Sequence, residues 1–327
     1  MNRQSILITG ATGFLGQHIL KRLVTNTSFA PIALVRNRQS WKSETEAIEG
    51  SVTNLEPWKN DERLKDLKGI FHLAAIVQHS RKNPEEMYHT NIEGTLNMVR
   101  LAASKRCRLI FVSTSGTVGC FRSPEEWADE NSPYCEKEVS SWPYYDSKIK
   151  AEKQAIKLAK ELSVELVIVR PPVLLGPGDI RLRSTGIVMK FLKRKFPFLV
   201  RGGIHFVDVR DVTQALVKIM SLASVRPVYH FSGTTLSLKE FFQILEKVSG
   251  VKRPSLVLPS SVARILAKTL DVLPLSFLPD PVLLEMATKF WNIRSLYAKS
   301  ELGFAARNPE ETLADTVKWL SQTNHFF

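Results

Sequence analysis

The 327-residue sequence is poor in cysteine, in acidic side chains and in long apolar runs. Its three cysteines, Cys107, Cys120 and Cys135, form an odd set without metal-ligand spacing. That argues against a disulfide framework or a thiolate metal site and points to a reducing compartment. No stretch reaches the roughly 18 uninterrupted apolar residues that a bilayer span needs. The first strand signal begins within a few residues of Met1, which leaves no room for a signal peptide. Together these points predict a cytoplasmic chain. Repeats and low-complexity tracts are also missing, so the length suits one large α/β unit or a main domain carrying a smaller lobe.

Acidic residues number 32 against 45 basic ones, a formal net charge of +13. The basic residues fall in clumps: Lys105, Arg106 and Arg108; Arg181 and Arg183; Lys190, Lys193, Arg194 and Lys195. Nucleic-acid binding would require a basic patch on a recognisable module, and none is present. An anionic ligand, an anionic membrane surface touched from outside, and a merely solvated basic face remain open.

The strongest positive signal is Thr9-Gly10-Ala11-Thr12-Gly13-Phe14-Leu15-Gly16. It follows the apolar run Ile6-Leu7-Ile8 and opens a helical segment, Gln17 to Thr25. Strand, glycine turn and helix form a dinucleotide pyrophosphate site: Gly10 turns the strand, Gly13 lets backbone approach the phosphates, and Gly16 lets helix and strand pack closely. The helix start adds free N–H groups and a positive dipole end.

Strand signals at Ser5–Thr9, Ile32–Val35, Gly69–Leu73, Leu109–Val112 and Leu166–Arg170 alternate with helix signals at Gln17–Thr25, Pro84–Ala103 and Tyr144–Leu162. The alternation predicts a doubly wound parallel sheet of Rossmann type over residues 1–170. Residues 171–327 are expected to form a smaller, mixed substrate-binding lobe with segments returning to the core. Within it, Pro259, Pro274, Pro279 and Pro281 punctuate short apolar helices such as Val262–Leu270, which suit a lid or a membrane-surface contact. An amphipathic helix, Pro309–Ser321, closes the chain.

The second strand ends at Val35-Arg36-Asn37-Arg38, about 20 residues past the last glycine. An acidic residue there would bond a ribose 2′-hydroxyl. Arg36 and Arg38 instead suit a 2′-phosphate, which predicts NADP, with NAD the alternative. Tyr144-Tyr145-Asp146-Ser147-Lys148 begins a helix, and Tyr144 and Lys148, four apart, share a face. A nearby ammonium would favour the phenolate and lower the phenol's pKa, fitting Tyr144 for proton transfer. Ser113-Thr114-Ser115-Gly116-Thr117 follows a strand, where a hydroxyl can orient a substrate oxygen.

On these motifs the chain resembles the extended short-chain dehydrogenase/reductases. His72-Leu73-Ala74-Ala75, Asn91-Ile92-Glu93-Gly94-Thr95, Arg170-Pro171-Pro172, Gly176-Pro177-Gly178 and Val207-Asp208-Val209-Arg210-Asp211 follow the family's order. The resemblance implies a Ser/Thr–Tyr–Lys catalytic set, with Thr114 matching the hydroxyl and Ser115 beside it, and a supporting Asn91. It implies cofactor contacts from Gly10, Thr12, Gly13, Phe14, Leu15, Gly16, Leu73, Ala74, Ala75, Tyr144, Lys148, Pro171 and Val173. Where the family often has Gly-Asp after the third strand, this chain has Gly50-Ser51, so adenine recognition at Ser51 and Val52 would be weaker or rest on backbone groups. A homodimer is a further expectation.

Two enzyme readings follow. One is an NADP-dependent reductase or dehydrogenase of an apolar ketone or alcohol, similar to dihydroflavonol reductases and 3β-hydroxysteroid dehydrogenases. Phe191, Phe196 and Phe198 are its expected substrate wall. The other is a nucleotide-sugar epimerase or dehydratase with retained NAD. Lys193, Arg194, Lys195 and Arg201 suit its diphosphate, but no asparagine precedes the Gly176-Pro177 turn. A non-catalytic NADP-binding protein is the third class.

Overall fold

The computed structural model describes residues 3–26, 28–272 and 280–323. Strand and helix alternate through the first half: β1 (Gln4–Thr9), α1 (Phe14–Asn26), β2 (Phe29–Val35), β3 (Ala47–Glu49), β4 (Leu67–His72), α2 (Glu85–Lys105), β5 (Arg108–Val112), a one-turn α3 (Glu136–Val139), α4 (Pro143–Glu161) and β6 (Leu166–Arg170). The second half continues with β7 (Val173–Leu175), α5 (Gly186–Leu192), β8 (Leu199–Val200), β9 (Gly203–Asp208), α6 (Val209–Ser221), β10 (Val228–His230), β11 (Thr234–Ser237), α7 (Leu238–Ser249), β12 (Val257–Leu258), α8 (Ser260–Val272), α9 (Pro281–Met286), α10 (Ala298–Leu302) and α11 (Pro309–Gln322).

Seven strands form the main sheet in the order β10-β6-β5-β4-β1-β2-β3, all parallel. Its central strands are apolar on both faces: Ile6, Leu7, Ile8, Ile70, Phe71, Leu109, Ile110 and Phe111 have no exposed surface. Helices on both sides require that pattern. The strand order reverses direction between β1 and β4, and ligands of such sheets bind at that crevice.

The predicted strands and helices of the first half are present with ends moved by no more than three residues, and Leu166–Arg170 is unmoved. β3 and β10, three residues each, were not legible as strands. The strand expected at Gly69–Leu73 starts at Leu67 and ends at His72. From the second half, α6 packs on α1, and β10 extends the main sheet. α10 joins the core of the main domain through Ala298 and Leu302, and most of the remaining elements bury a separate core around Phe191, Phe206, Phe241 and Phe242. α8 turns Ala263, Ala267 and Leu270 into that core and leaves Val262 and Ile265 exposed. Pro274 and Pro279 lie outside the described residues.

Phe191, Phe196 and Phe198 do not form the expected substrate wall. Phe191 is buried with its ring edge-on to Phe242, the half-buried Phe196 is also edge-on to Phe242, and the half-buried Phe198 packs against the same cluster. The three rings hold the lobe together. An aromatic-rich segment looks alike in sequence whether it lines a cleft or fills a core.

Candidate active site

The glycine turn joins β1 to α1. Gly10 has φ +68°, and a Cβ there would stand 2.7 Å from the backbone nitrogen of Ala74. The main chain of the turn therefore lies directly against the loop after β4. Gly16 closes the other side, where a Cβ would meet the Gly10 carbonyl oxygen at 2.3 Å. α1 begins at Phe14, so its opening amides have no acceptor within the helix. Thr12 is exposed, Gly13 and Phe14 half-buried, and Leu15 buried beneath them. This backbone-lined cradle, which side chains would fill, fits a dinucleotide pyrophosphate.

The loop after β4 is fixed by buried polar contacts. His72 has no exposed surface. Its Nδ1 pairs with the Thr9 hydroxyl at 2.8 Å and its Nε2 with the Thr95 hydroxyl at 3.1 Å. Burial lowers its pKa to about 3, so the ring is a neutral spacer between β1, β4 and α2. Leu73, Ala74 and Ala75 then run half-buried past the glycine turn. Asn91, 1 % exposed, accepts from the Ile76 N–H at 2.8 Å, donates to the Ile76 carbonyl at 3.1 Å, and donates to the Ser147 hydroxyl at 3.0 Å. One amide thus ties this loop to α4.

Pro143 occupies the first position of α4, where its missing N–H costs nothing. Tyr144 therefore stands in the first turn and Lys148 one turn on. The two tyrosines diverge. Tyr145 is buried against Gly116, where a Cβ would lie 2.2 Å from its ring, and it stacks on Trp291 with centroids 5.1 Å apart. Tyr144 is half-buried, and its hydroxyl has no hydrogen-bond partner among the described residues. Thr114 caps the turn after β5, its hydroxyl oxygen accepting from the Gly116 N–H at 3.3 Å. Its own O–H remains available to donate. Ser115 is buried beside it, and the neighbouring Ser113 hydroxyl is enclosed without a partner among the described residues.

The electrostatics differ from the sequence expectation. Lys148 is 2 % exposed. Its Nζ donates to the Val112 carbonyl at 2.9 Å and lies 4.3 Å from the centre of the Phe111 ring. Burial lowers its pKa to about 7, partly offset by Glu152. The Tyr144 phenol moves upward, to about 12, because burial disfavours the phenolate. The expected lowering by Lys148 is absent: burial is the one cause that acts on the phenol. Tyr144 is a neutral acid at pH 7, suited to giving a proton to a developing alkoxide. Glu152 is engaged elsewhere, in a buried pair with Arg170 at 2.6 Å.

At the adenosine end, Arg36 is exposed beyond β2, with no hydrogen bond or ion pair among the described residues. Arg38 is less free than expected: its guanidinium bonds the Ala47 carbonyl, and its N–H donates to Glu49 at 2.9 Å. Ser51 pairs through its hydroxyl with Thr53 at 2.8 Å, and Val52 is buried against Gly94. Pro171 is buried, its carbonyl holding the Ser115 N–H at 2.9 Å, while Val173 is 39 % exposed.

Three residues were not singled out for the site by sequence. Arg181 donates to the Thr12 hydroxyl at 3.1 Å, which carries a cation over the glycine turn from 169 positions away. Arg81 donates to the Ser141 carbonyl and pairs with Asp271 at 2.8 Å and with Glu285, which also accepts from Trp142 at 3.0 Å. His79 lies against Tyr144. Arg181 belonged to a visible basic clump, but nothing local shows what a clump faces.

Residues 6–230 match the model of the NAD dependent epimerase/dehydratase family. The chain belongs to this family. It is 28 % identical over 333 residues to a putative dihydroflavonol 4-reductase of Synechocystis, covering 97 % of this chain and 94 % of that one. It is 24 % identical to sterol demethylase protein B of Methylococcus capsulatus, over 97 % and 98 % of the two chains. The solved structure of gox2253 superposes with a TM-score of 0.85 at 27 % identity, over 99 % of this chain and all of the other. The chain is thus an NAD(P)-dependent oxidoreductase of the extended short-chain type.

Proposed function

We propose that the protein is an NADPH-dependent reductase of a ketone on an apolar ring system. The observation that carries this reading is the neutral, unpartnered Tyr144 hydroxyl at the edge of an aromatic cluster. Tyr145, Trp142 and Trp291 pack behind it, and Trp291 and Met286 keep part of their surface open. Such a surface suits a flat or fused ring. The names of the relatives, a dihydroflavonol reductase and a sterol-processing protein, agree with that chemistry.

NADPH held in the glycine-turn cradle would supply the hydride for the carbonyl carbon. Tyr144 donates its proton to the oxygen as charge develops there, and Thr114 holds the same oxygen by its free O–H. Lys148 holds no proton-transfer role of its own here; released from Val112, its Nζ can take a ribose hydroxyl as acceptor. Asn91 keeps Tyr144's helix and the β4 loop in register. Arg36 would hold the 2′-phosphate, and Arg181 would add positive charge beside the pyrophosphate cradle.

The test begins with protein purified without added nucleotide. Denaturation releases whatever it retains, and NADP and NAD are titrated in parallel into wild type and Arg36→Glu. An empty site that prefers NADP, with the preference lost in the variant, supports the reductase. Tightly retained NAD, or equal losses for both nucleotides, refutes it and turns the screen to nucleotide sugars.

A further inference from the structure

The loop between β4 and α2 presents one titratable side chain that this mechanism leaves idle. His79 lies edge-on to Tyr144, ring centroids 5.7 Å apart and planes at 84°, and 6.2 Å from Tyr145. Its Nδ1 is enclosed without a hydrogen-bond partner, while Nε2 is not enclosed and has no partner among the described residues. Burial lowers the ring's pKa below its ordinary 6.5. The Asp280 carboxylate opposes that shift and the Arg183 guanidinium reinforces it.

These facts decide the tautomer. An enclosed N–H without an acceptor loses its hydrogen bond to water outright, at about 1–3 kcal/mol. Orphaned buried N–H groups are rarer than under-satisfied acceptors for that reason. Nδ1 therefore carries the lone pair, and the single proton sits on Nε2, the nitrogen of this ring that is not enclosed. An imidazolium would bury an unpaired donor at Nδ1, so the ring stays neutral. No hydrogen bond joins His79 to Tyr144, which removes a proton-relay role.

A carbonyl oxygen has two lone pairs, and Tyr144 and Thr114 take both. A further donor beside Tyr144 has use only for a different oxygen. We infer that His79 is a substrate-binding residue whose Nε2–H donates to a second oxygen, on a carbon adjacent to the reacting carbonyl. The inference rests on the reductase reading for its substrate and on geometry alone for its tautomer. It makes the site selective for ketones bearing a neighbouring hydroxyl or carbonyl over otherwise equal monofunctional ketones. An unsatisfied donor in a closed site is what enforces such a choice.

Two probes differ only in that neighbouring group: dihydroquercetin carries a hydroxyl next to its ring ketone and eriodictyol does not. Steady-state reduction of both is compared for wild type, His79→Phe and His79→Gln. His79→Phe keeps a ring and should raise KM for dihydroquercetin by about 10-fold or more while leaving eriodictyol within about twofold. His79→Gln restores an N–H donor and should recover most of the loss. Equal effects on both ketones would make the ring mere packing, and no effect on either would remove it from the site; both results overturn the inference. Imidazole-nitrogen NMR on the NADP-loaded protein, with His79 assigned by its absence in His79→Gln, gives a readout independent of turnover. A neutral Nε2–H ring whose signal moves with dihydroquercetin and not with eriodictyol supports the inference. An Nδ1–H ring, or an equal response to both, overturns it. If wild type reduces neither ketone, the reductase reading loses these substrates, and the NMR result still decides His79.

Discussion

Replacing Lys148 with methionine should stabilise the cofactor-free protein while disabling it. The wild-type ammonium is 2 % exposed, and burial takes its pKa from 10.5 to about 7. That difference corresponds to about 5 kcal/mol against the charged form. Methionine fills much of the same space, and the bond it forfeits to the Val112 carbonyl is worth about 1 kcal/mol. The variant should therefore be more stable by on the order of 3–4 kcal/mol at about pH 6. The sign of the pH dependence follows from where the proton sits. Above pH 7 the folded lysine has lost its proton while the unfolded one keeps it, so wild-type stability rises with pH. The gap between the two proteins should narrow by about 1.4 kcal/mol per pH unit and close near pH 10. Urea denaturation of both proteins across this range measures it. A variant less stable than wild type at pH 6, or a gap that ignores pH, would show that the ammonium is better solvated than the fold implies.

Tyr144→Phe should lower kcat by roughly 10²–10⁴-fold and leave dinucleotide affinity nearly unchanged; fluorescence titration alongside turnover separates the two. Asn91→Ala orphans the Ile76 N–H and takes away the N–H that the Ser147 hydroxyl oxygen accepts, leaving that hydroxyl only its bond to the Tyr144 carbonyl. It should cost about 2–4 kcal/mol in denaturant unfolding and reduce kcat/KM, whereas an unchanged midpoint would mean the loop holds itself. Gly10→Ala combines a left-handed backbone with a Cβ 2.7 Å from Ala74 nitrogen. Dinucleotide affinity measured by calorimetry should fall more than 10-fold, since at least about 1–2 kcal/mol of backbone strain joins the clash.

The legible parts of the fold and site were the local ones. The glycine turn, the Tyr144–Lys148 spacing and the main sheet strands each depend on neighbours within a few residues, so their pattern is written in one place. β3 and β10 are too short to show a period and exist because a sheet edge was waiting for them. The direction of the Tyr144 shift depends on what covers the ring, and the cover comes from the β4 loop and the aromatic cluster. Arg38 looked like a phosphate ligand until β3 offered it a carbonyl. Phe191 looked like a cleft residue until the lobe closed over it. His79, Arg81 and Arg181 reach the site across long stretches of chain, and no spacing rule covers such distances.

Arg81 gives the molecule a dependence on ionic strength. It fastens the β4 loop to α8 and α9 by two ion pairs, and its own side chain is 30 % exposed. Salt weakens such pairs while leaving the apolar contacts beneath them intact. If the two lobes must part for product to leave, added salt loosens the latch without softening the floor on which the chemistry takes place. Turnover limited by release would then rise with moderate salt as dinucleotide affinity fell, and a rate that only declined would place the slow step in the chemistry.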